Sequence, residues 1–217
     1  MTRLRWGNDA PEDSAAARER LVDAAEACID RFGLSKTTLE DVAAEAQVSR
    51  ATIYRYFGNR DELILEVLLR ELDRQFDTSL AEFVKDADTP AKAARAIVDA
   101  SVYLLGTIRR SPKLQLFLNR EGASVTATIA GASRAFFSAV VKDLRPYLAA
   151  AQRAGTVRTD IDLDEAGEWI VRTIISLLTV EGPTIRSAAD ERRMLAMFLV
   201  PALVPGDAAE LARAAMS

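Results

Sequence analysis

Between Gln47 and Arg60 the chain carries three arginines (Arg50, Arg55, Arg60), two of its four tyrosines (Tyr54, Tyr56) and no acid. The chemistry these residues can do is recognition of a polyanion. A guanidinium pairs bidentately with the guanine edge, worth about 1–3 kcal/mol of discrimination between bases, so Arg50 or Arg55 is the expected base reader. Tyrosine hydroxyls and the amides at a helix start suit phosphate positioning. The asymmetry is local. Residues 1–60 hold nine Lys/Arg against ten Asp/Glu and the whole chain has net charge −4, which excludes a globally basic binder.

Bond-making chemistry finds few candidates. The chain has no histidine, which removes His metal sites, His general bases and Ser-His or Cys-His nucleophile pairs. Its one cysteine, Cys28, can form no internal disulfide and hold no zinc alone; it sits in an apolar helical pattern and reads as a buried, inert thiol. Paired carboxylates in an apolar setting, a glycine-rich phosphate loop and metal-ligand spacing are all missing from the sequence. The expectation is a non-enzyme with no metal and no cofactor in a reducing, cytoplasmic setting. The N-terminus has no apolar signal region, and the most apolar stretches, 125–141 and 169–180, are interrupted by Arg134 and Arg172. No membrane association is expected.

The elements that must position the cationic segment follow from periodicity and caps. Leu21, Ala25, Cys28, Ile29 and Phe32 form the stripe of an amphipathic helix over 14–32, stopped by Gly33. Thr37 or Thr38 then caps a short helix, with Glu40 or Asp41 respectively completing a capping box, and Leu39, Val42 and Ala43 facing inward. Gln47 and Val48 make a tight connection, Ser49 caps a third helix ending at Phe57, and Asn59 with Glu62 opens a fourth that reaches about Asp86. Leu65, Leu68, Leu72, Phe76 and Phe83 mark its buried stripe; Glu66, Arg70 and Arg74 are expected on its wet face. Further helices are expected over 90–109, from 112, over 126–153 with a kink or break at Pro146, over 162–181 and over 187–204. That makes nine helices and no strand, an all-α chain.

The second and third helices make a helix-turn-helix, an arrangement that lays its second helix in the DNA major groove. Stepping 100° per residue, Ile53 and Phe57 point to the core, so Ala51, Thr52, Tyr54 and Arg55 point outward or sideways. The alternative to DNA binding is a small three-helix subdomain with an aromatic core.

The run from Gly33 to Leu63 resembles the N-terminal domain of the TetR family of transcriptional regulators, over about residues 15–70. The likeness rests on Thr37-Thr38, Val48-Ser49, Tyr54-x-x-Phe57 and the basic Arg60 before Asp61-Glu62. It implies a homodimer binding a double-stranded DNA operator. The family's phosphate-contacting threonine falls on Thr38. Its recognition contacts fall on Arg50, Ala51, Thr52, Tyr54, Arg55 and Tyr56, beside the cap Ser49, and its connector-helix lysine falls on Arg60. Two departures stand out. The family's turn glycine is Gln47 here, where a left-handed backbone would cost roughly 1 kcal/mol. A recognition-helix glycine is Ala51, whose methyl can meet a thymine methyl.

The remainder is read as a partner-binding domain. The segments 169–180 and 194–204 are apolar over more than one stripe, so either the chain's own core or a second copy covers the excess. The resemblance implies a dimer through these last two long helices. Tyr103, Thr107, Phe117, Phe136, Phe137, Trp169 and Thr173 are candidate liners of a pocket for an apolar or amphipathic small molecule. Arg134 either holds a ligand carboxylate there or lies on a wet face, and Arg120 pairs with Glu121 or with solvent. The expected organisation is a disordered arm over 1–13, whose Arg3 and Arg5 could reach a minor groove, a helix-turn-helix domain over 14–60, and a ligand-binding and dimerisation domain over 61–217. The expected function is a ligand-responsive repressor, released when an apolar or amphipathic effector swings the reading heads through the connector helix at about 60–85; the alternative is a small-molecule-binding helical protein that acts as an activator or has no DNA-binding role.

Overall fold

The computed structural model describes residues 14–76, 79–118, 134–180, 182 and 186–216. Among them every regular element is helical. The described residues fall into two compact units, 14–71 with 116–118, and 72–115 with 134–216. The expected N-terminal arm with Arg3 and Arg5, and the pair Arg120–Glu121, lie outside the described residues.

In the first unit, α1 (Ser14–Phe32) buries Leu21, Ala25, Cys28 and Ile29 as its periodicity predicts, and Ala17, Val22 and Ala24 besides. Phe32, the last member of the expected stripe, is instead exposed at the helix end, with the Arg31 guanidinium 5.5 Å from its ring centroid. Burial pushes the Cys28 thiol pKa up, away from the reactive thiolate. Gly33 (φ +84°) ends α1, and α2 (Leu39–Glu45), α3 (Arg50–Tyr56) and α4 (Arg60–Phe76) follow. Leu39, Val42 and Ala43 of α2, Ile53 and Phe57 at α3, and Leu63, Ile64, Val67 and Leu68 of α4 supply the rest of the core.

Of the wet face expected on α4, Arg74 is exposed, but Arg70 and Glu66 are engaged by α1. Arg70, only 14% exposed, donates from Nε to Glu26 (3.0 Å) and from Nη1 to Asp23 (2.7 Å) and Glu19 (3.1 Å), all on α1. Glu66 accepts from Arg18 at 2.8 Å. These groups sew α1 to α4 where i, i+4 spacing had suggested contacts within one helix.

In the second unit, α5 (Ser79–Val84) precedes α6 (Pro90–Arg110), which opens on the Thr89 cap and Pro90. Then come α7 (Pro112–Leu118), of which only 112–115 belong to this unit, α8 (Arg134–Arg153) and α9 (Leu163–Thr179), the last capped by Asp162. Helix α8 does not break at Pro146. Pro146 and Lys142, whose carbonyl loses its partner, are both exposed, so water can satisfy the orphan oxygen. Gly167 on α9 lets α8 close in: a Cβ there would lie 3.1 Å from Val141 Cγ1.

The capping box of Ser187 and Asp190 opens α10 (Ala188–Met194), which continues through a π-helical turn, Leu195–Leu199, into α11 (Val200–Leu203). The wide turn lies just before Pro201, which has no N–H, and the Val200 N–H reaches back to Leu195 O. Leu195, Ala196, Leu199, Val200 and Leu203 enter the core, while Met197 and Phe198 stay outside. A further helix, α12 (Ala208–Met216), was not expected from the sequence. Asp207 caps it by accepting from the N–H groups of Ala209 and Glu210, and its Leu211, Ala212 and Ala215 join the core with Ala93, Ala94 and Val98 of α6. Arg109 grips the buried Glu191 bidentately at 2.7 and 2.8 Å, tying α6 to α10.

Candidate nucleic-acid interface

The turn and caps of α2–α3 explain how the cationic residues are presented. Thr38, not Thr37, caps α2. The backbone N–H of Asp41 donates to Thr38 Oγ1 (3.2 Å), and the Thr38 N–H (3.0 Å) and hydroxyl (2.6 Å) both donate to Asp41 Oδ2, a reciprocal box. The Thr38 hydroxyl first, and its N–H second, hold the Asp41 carboxyl below the usual carboxylate range. Thr37 is buried and spends its hydroxyl on Gly33 O at 2.9 Å.

Helix α2 ends in a Schellman motif: Val48 N–H donates to Ala43 O (2.9 Å) and Gln47 N–H to Ala44 O (3.1 Å). That pattern requires a left-handed residue between them, and Gln47 supplies it at φ +57°, the only non-glycine with positive φ among the described residues. Ser49 then caps α3, accepting from Thr52 N–H at 3.1 Å, with its Oγ 2.9 Å from Thr52 Oγ1. At the far end only half of the expected box forms: the Glu62 N–H donates to Asn59 Oδ1 at 2.9 Å, but the Glu62 carboxylate accepts from the Gly58 N–H (2.8 Å) and from Asn59 Nδ2 (3.2 Å) in place of the Asn59 backbone N–H.

With Ile53 and Phe57 buried, α3 turns Arg50, Ala51, Tyr54 and Arg55 outward and leaves Thr52 and Tyr56 at the margin. Arg55 lies 5.1 Å from the Tyr56 ring centroid. Thr38 and Ser49 are exposed at the starts of α2 and α3. So eight of the nine sequence-selected positions lie on or beside one exposed helix pair. Arg60 is the exception. Its Nε donates to Thr37 O at 2.7 Å and its Nη2 to Leu34 O, so its guanidinium turns back onto the chain.

Two residues here escaped the sequence reading. Glu40 on α2 lies 3.5 Å from the Tyr54 hydroxyl, placing one acid beside the face. Arg18 on α1 donates to Tyr56 O (2.9 Å) and Glu66 (2.8 Å) and lies 4.3 Å from the Phe57 ring centroid. Neither has a local signal, because each partner comes from another helix.

The residues singled out as pocket liners are more scattered. Phe117 and Phe136 are buried, and Thr107 is half-buried. Tyr103 is exposed and packs on Phe83 with ring centroids 5.4 Å apart. Phe137 meets Phe136 edge-on at 5.8 Å and lies 4.8 Å from the Arg172 guanidinium. Thr173 bonds back to Trp169 O at 2.8 Å, and Trp169 is half exposed. Arg134 is exposed, on the wet side of α8.

Two short capped helices in this geometry, the second with a cationic and phenolic outer face, define a helix-turn-helix transcriptional regulator. Residues 21–67 match the sequence profile of the bacterial regulatory proteins of the tetR family. An uncharacterised HTH-type transcriptional regulator of Mycobacterium tuberculosis is 30% identical over 196 residues, 89% of this chain and 88% of that one. The chain belongs to the TetR family. The probable acrEF/envCD operon repressor of Escherichia coli is 28% identical over 159 residues, 70% of each chain. The TetR-family repressor QsdR of R. erythropolis shares the fold, with a TM-score of 0.66 at 20% identity over 90% of this chain and all of that one. No described helix is long and apolar enough to cross a membrane.

Proposed function

We propose that the chain is a ligand-responsive transcriptional repressor that binds a palindromic duplex operator as a homodimer. The observation that carries this reading is the capped helix pair with an acid-free outer face on α3. Arg50 and Arg55 read base edges. Tyr54, Tyr56, Thr52, Ser49 and Thr38 position phosphates, and Ala51 meets a base methyl. Two copies place their α3 helices in successive major grooves about 34–36 Å apart.

The second copy is supported by apolar side chains left in water. Phe198 is 73% exposed, Met197 48% and Trp169 50%, and all three lie on the helices expected to pair. On this reading Trp169 belongs to the pairing face. An apolar or amphipathic effector binds in the second unit near Tyr103, Thr107, Phe137 and Thr173. Its preference for one pose of the reading heads sets the response, typically about 1–3 kcal/mol of coupling.

The test is selection of a duplex from a random library, followed by fluorescence anisotropy over a range of salt. Affinity for the selected duplex falls steeply as salt rises. Arg50→Ala and Tyr54→Ala abolish binding while the helical circular-dichroism signal is kept. No enriched sequence, or affinity indifferent to salt, overturns the reading.

A further inference from the structure

Arginines that touch no base can still decide how a reading head is held. Arg60 starts α4, and the resemblance matches it to the family's connector-helix lysine among the expected DNA-binding positions. In the structure its side chain is 28% exposed. Nε donates to Thr37 O at 2.7 Å, Nη2 donates to Leu34 O, and Nη1 lies 3.6 Å from Asp61 Oδ1. Leu34 and Thr37 belong to the turn between α1 and α2, and Thr37 is the residue before the Thr38 cap. The guanidinium therefore holds the peptide from which α2 departs. A phosphate that recruited it would have to displace two charge-assisted hydrogen bonds.

The other end of the motif is held in the same way. Arg18 Nη1 donates to the carbonyl of Tyr56, the last residue of α3, at 2.9 Å. Its Nη2 donates to Glu66 at 2.8 Å, and its Cζ lies 4.3 Å from the Phe57 ring centroid. The Glu66 hydrogen bond, outweighing partial burial, raises the Arg18 pKa further. One guanidinium thus pins the start of α2 to α4, and the other pins the end of α3 to α1 and α4. Both use the planar fork of arginine, which reaches two acceptors in fixed directions; a lysine ammonium has no such fork.

We infer that Arg60 and Arg18 are positioning residues that preorganise the helix-turn-helix from its two ends, and that the charge of Arg60 is not spent on a DNA phosphate. The inference rests on the proposed DNA-binding role of α3. It predicts a split between affinity and salt dependence. A lost phosphate contact lowers the slope of log K against log salt by about 0.9. A lost positioning contact weakens binding and leaves the slope alone, because the number of neutralised phosphates is unchanged.

The experiment compares wild type, Arg50→Ala, Arg60→Lys, Arg60→Gln and Arg18→Lys on the selected duplex across a salt series, well below each variant's unfolding midpoint. Amide hydrogen exchange of α2 and α3 is measured alongside. Arg60→Lys and Arg18→Lys are expected to lose about tenfold in affinity, with the wild-type slope and faster exchange at the pinned helix end. Arg60→Gln is expected to behave like Arg60→Lys. If Arg60→Lys binds as wild type, or Arg60→Gln flattens the slope by about one contact, Arg60 is a phosphate ligand and the inference is overturned. Should Arg60→Lys fail to fold, Arg18→Lys decides: wild-type affinity there overturns it. Absence of salt-dependent binding in the wild type, or normal binding by Arg50→Ala, defeats the DNA-binding reading instead.

Discussion

Replacing Gln47 with glycine should make the protein more stable, although the residue sits in the turn at the centre of the reading head. Gln47 sits at φ +57° because the Schellman bonds from Val48 N–H to Ala43 O and from Gln47 N–H to Ala44 O demand a left-handed residue. For a residue with a Cβ this conformation costs about 1–2 kcal/mol. Glycine removes that cost but adds about 0.4–1 kcal/mol of unfolded-state freedom. The difference is a net stabilisation of about 0.8 kcal/mol, within a range of about 0–1.6. For a chain of this size the shift is about 2–3 °C in melting temperature. The Gln47 side chain is exposed, so the exchange removes no core contact. Thermal and urea unfolding followed by circular dichroism measures it, with Gln47→Ala expected near wild type and Gln47→Val clearly below it, since branching at Cβ worsens the left-handed clash. A glycine variant less stable than wild type, or a valine variant equal to it, would refute the strain argument.

Two further predictions address other parts of the chain. The Asp41 carboxyl is held below its unfolded value by the Thr38 hydroxyl and N–H. The folded state therefore binds fewer protons, and the contribution is present above the unfolded carboxyl value of about 3.9 and lost as pH falls through the folded one. The urea midpoint of wild type minus that of Asp41→Asn should stay level from neutral pH to about 5 and vanish in stronger acid; a difference that persists unchanged into strong acid contradicts this. Phe198→Asp should convert a dimer to a monomer in sedimentation velocity with helix content preserved, since the Phe198 side chain lies outside the core. A wild type that sediments as a monomer, or a variant that stays dimeric, removes the support that exposed apolar surface lends to pairing.

The helix-turn-helix was legible because its signals are local. Thr38 with Asp41, Ser49 with Thr52, Asn59 with Glu62 and Ser187 with Asp190 bond within three residues of each other. A capping box needs no knowledge of the rest of the chain. The burial of Ile53 and Phe57 follows from helical periodicity in the same way, and turns Tyr54 and Arg55 outward. Helix α12 carries such a signal too, Asp207 with Glu210.

The partners of the long cations were not legible, for the opposite reason. Arg70 finds its carboxylates 44–51 positions away, Arg18 finds Glu66 across 48 and Arg60 finds Thr37 across 23. A guanidinium on a flexible stem takes whichever acceptors the packing of α1 against α4 brings within reach, and spacing along one helix carries no record of that. The outward turn of Met197 and Phe198 has the same status: apolar composition announced an excess face, and the π turn before Pro201 decided which side chains form it. Residue types and caps thus determined the helices and the chemistry of α3, since those depend on neighbours within one or two turns. Which charges remain available for a partner was decided by the tertiary packing, because ion pairing here acts between helices distant in sequence.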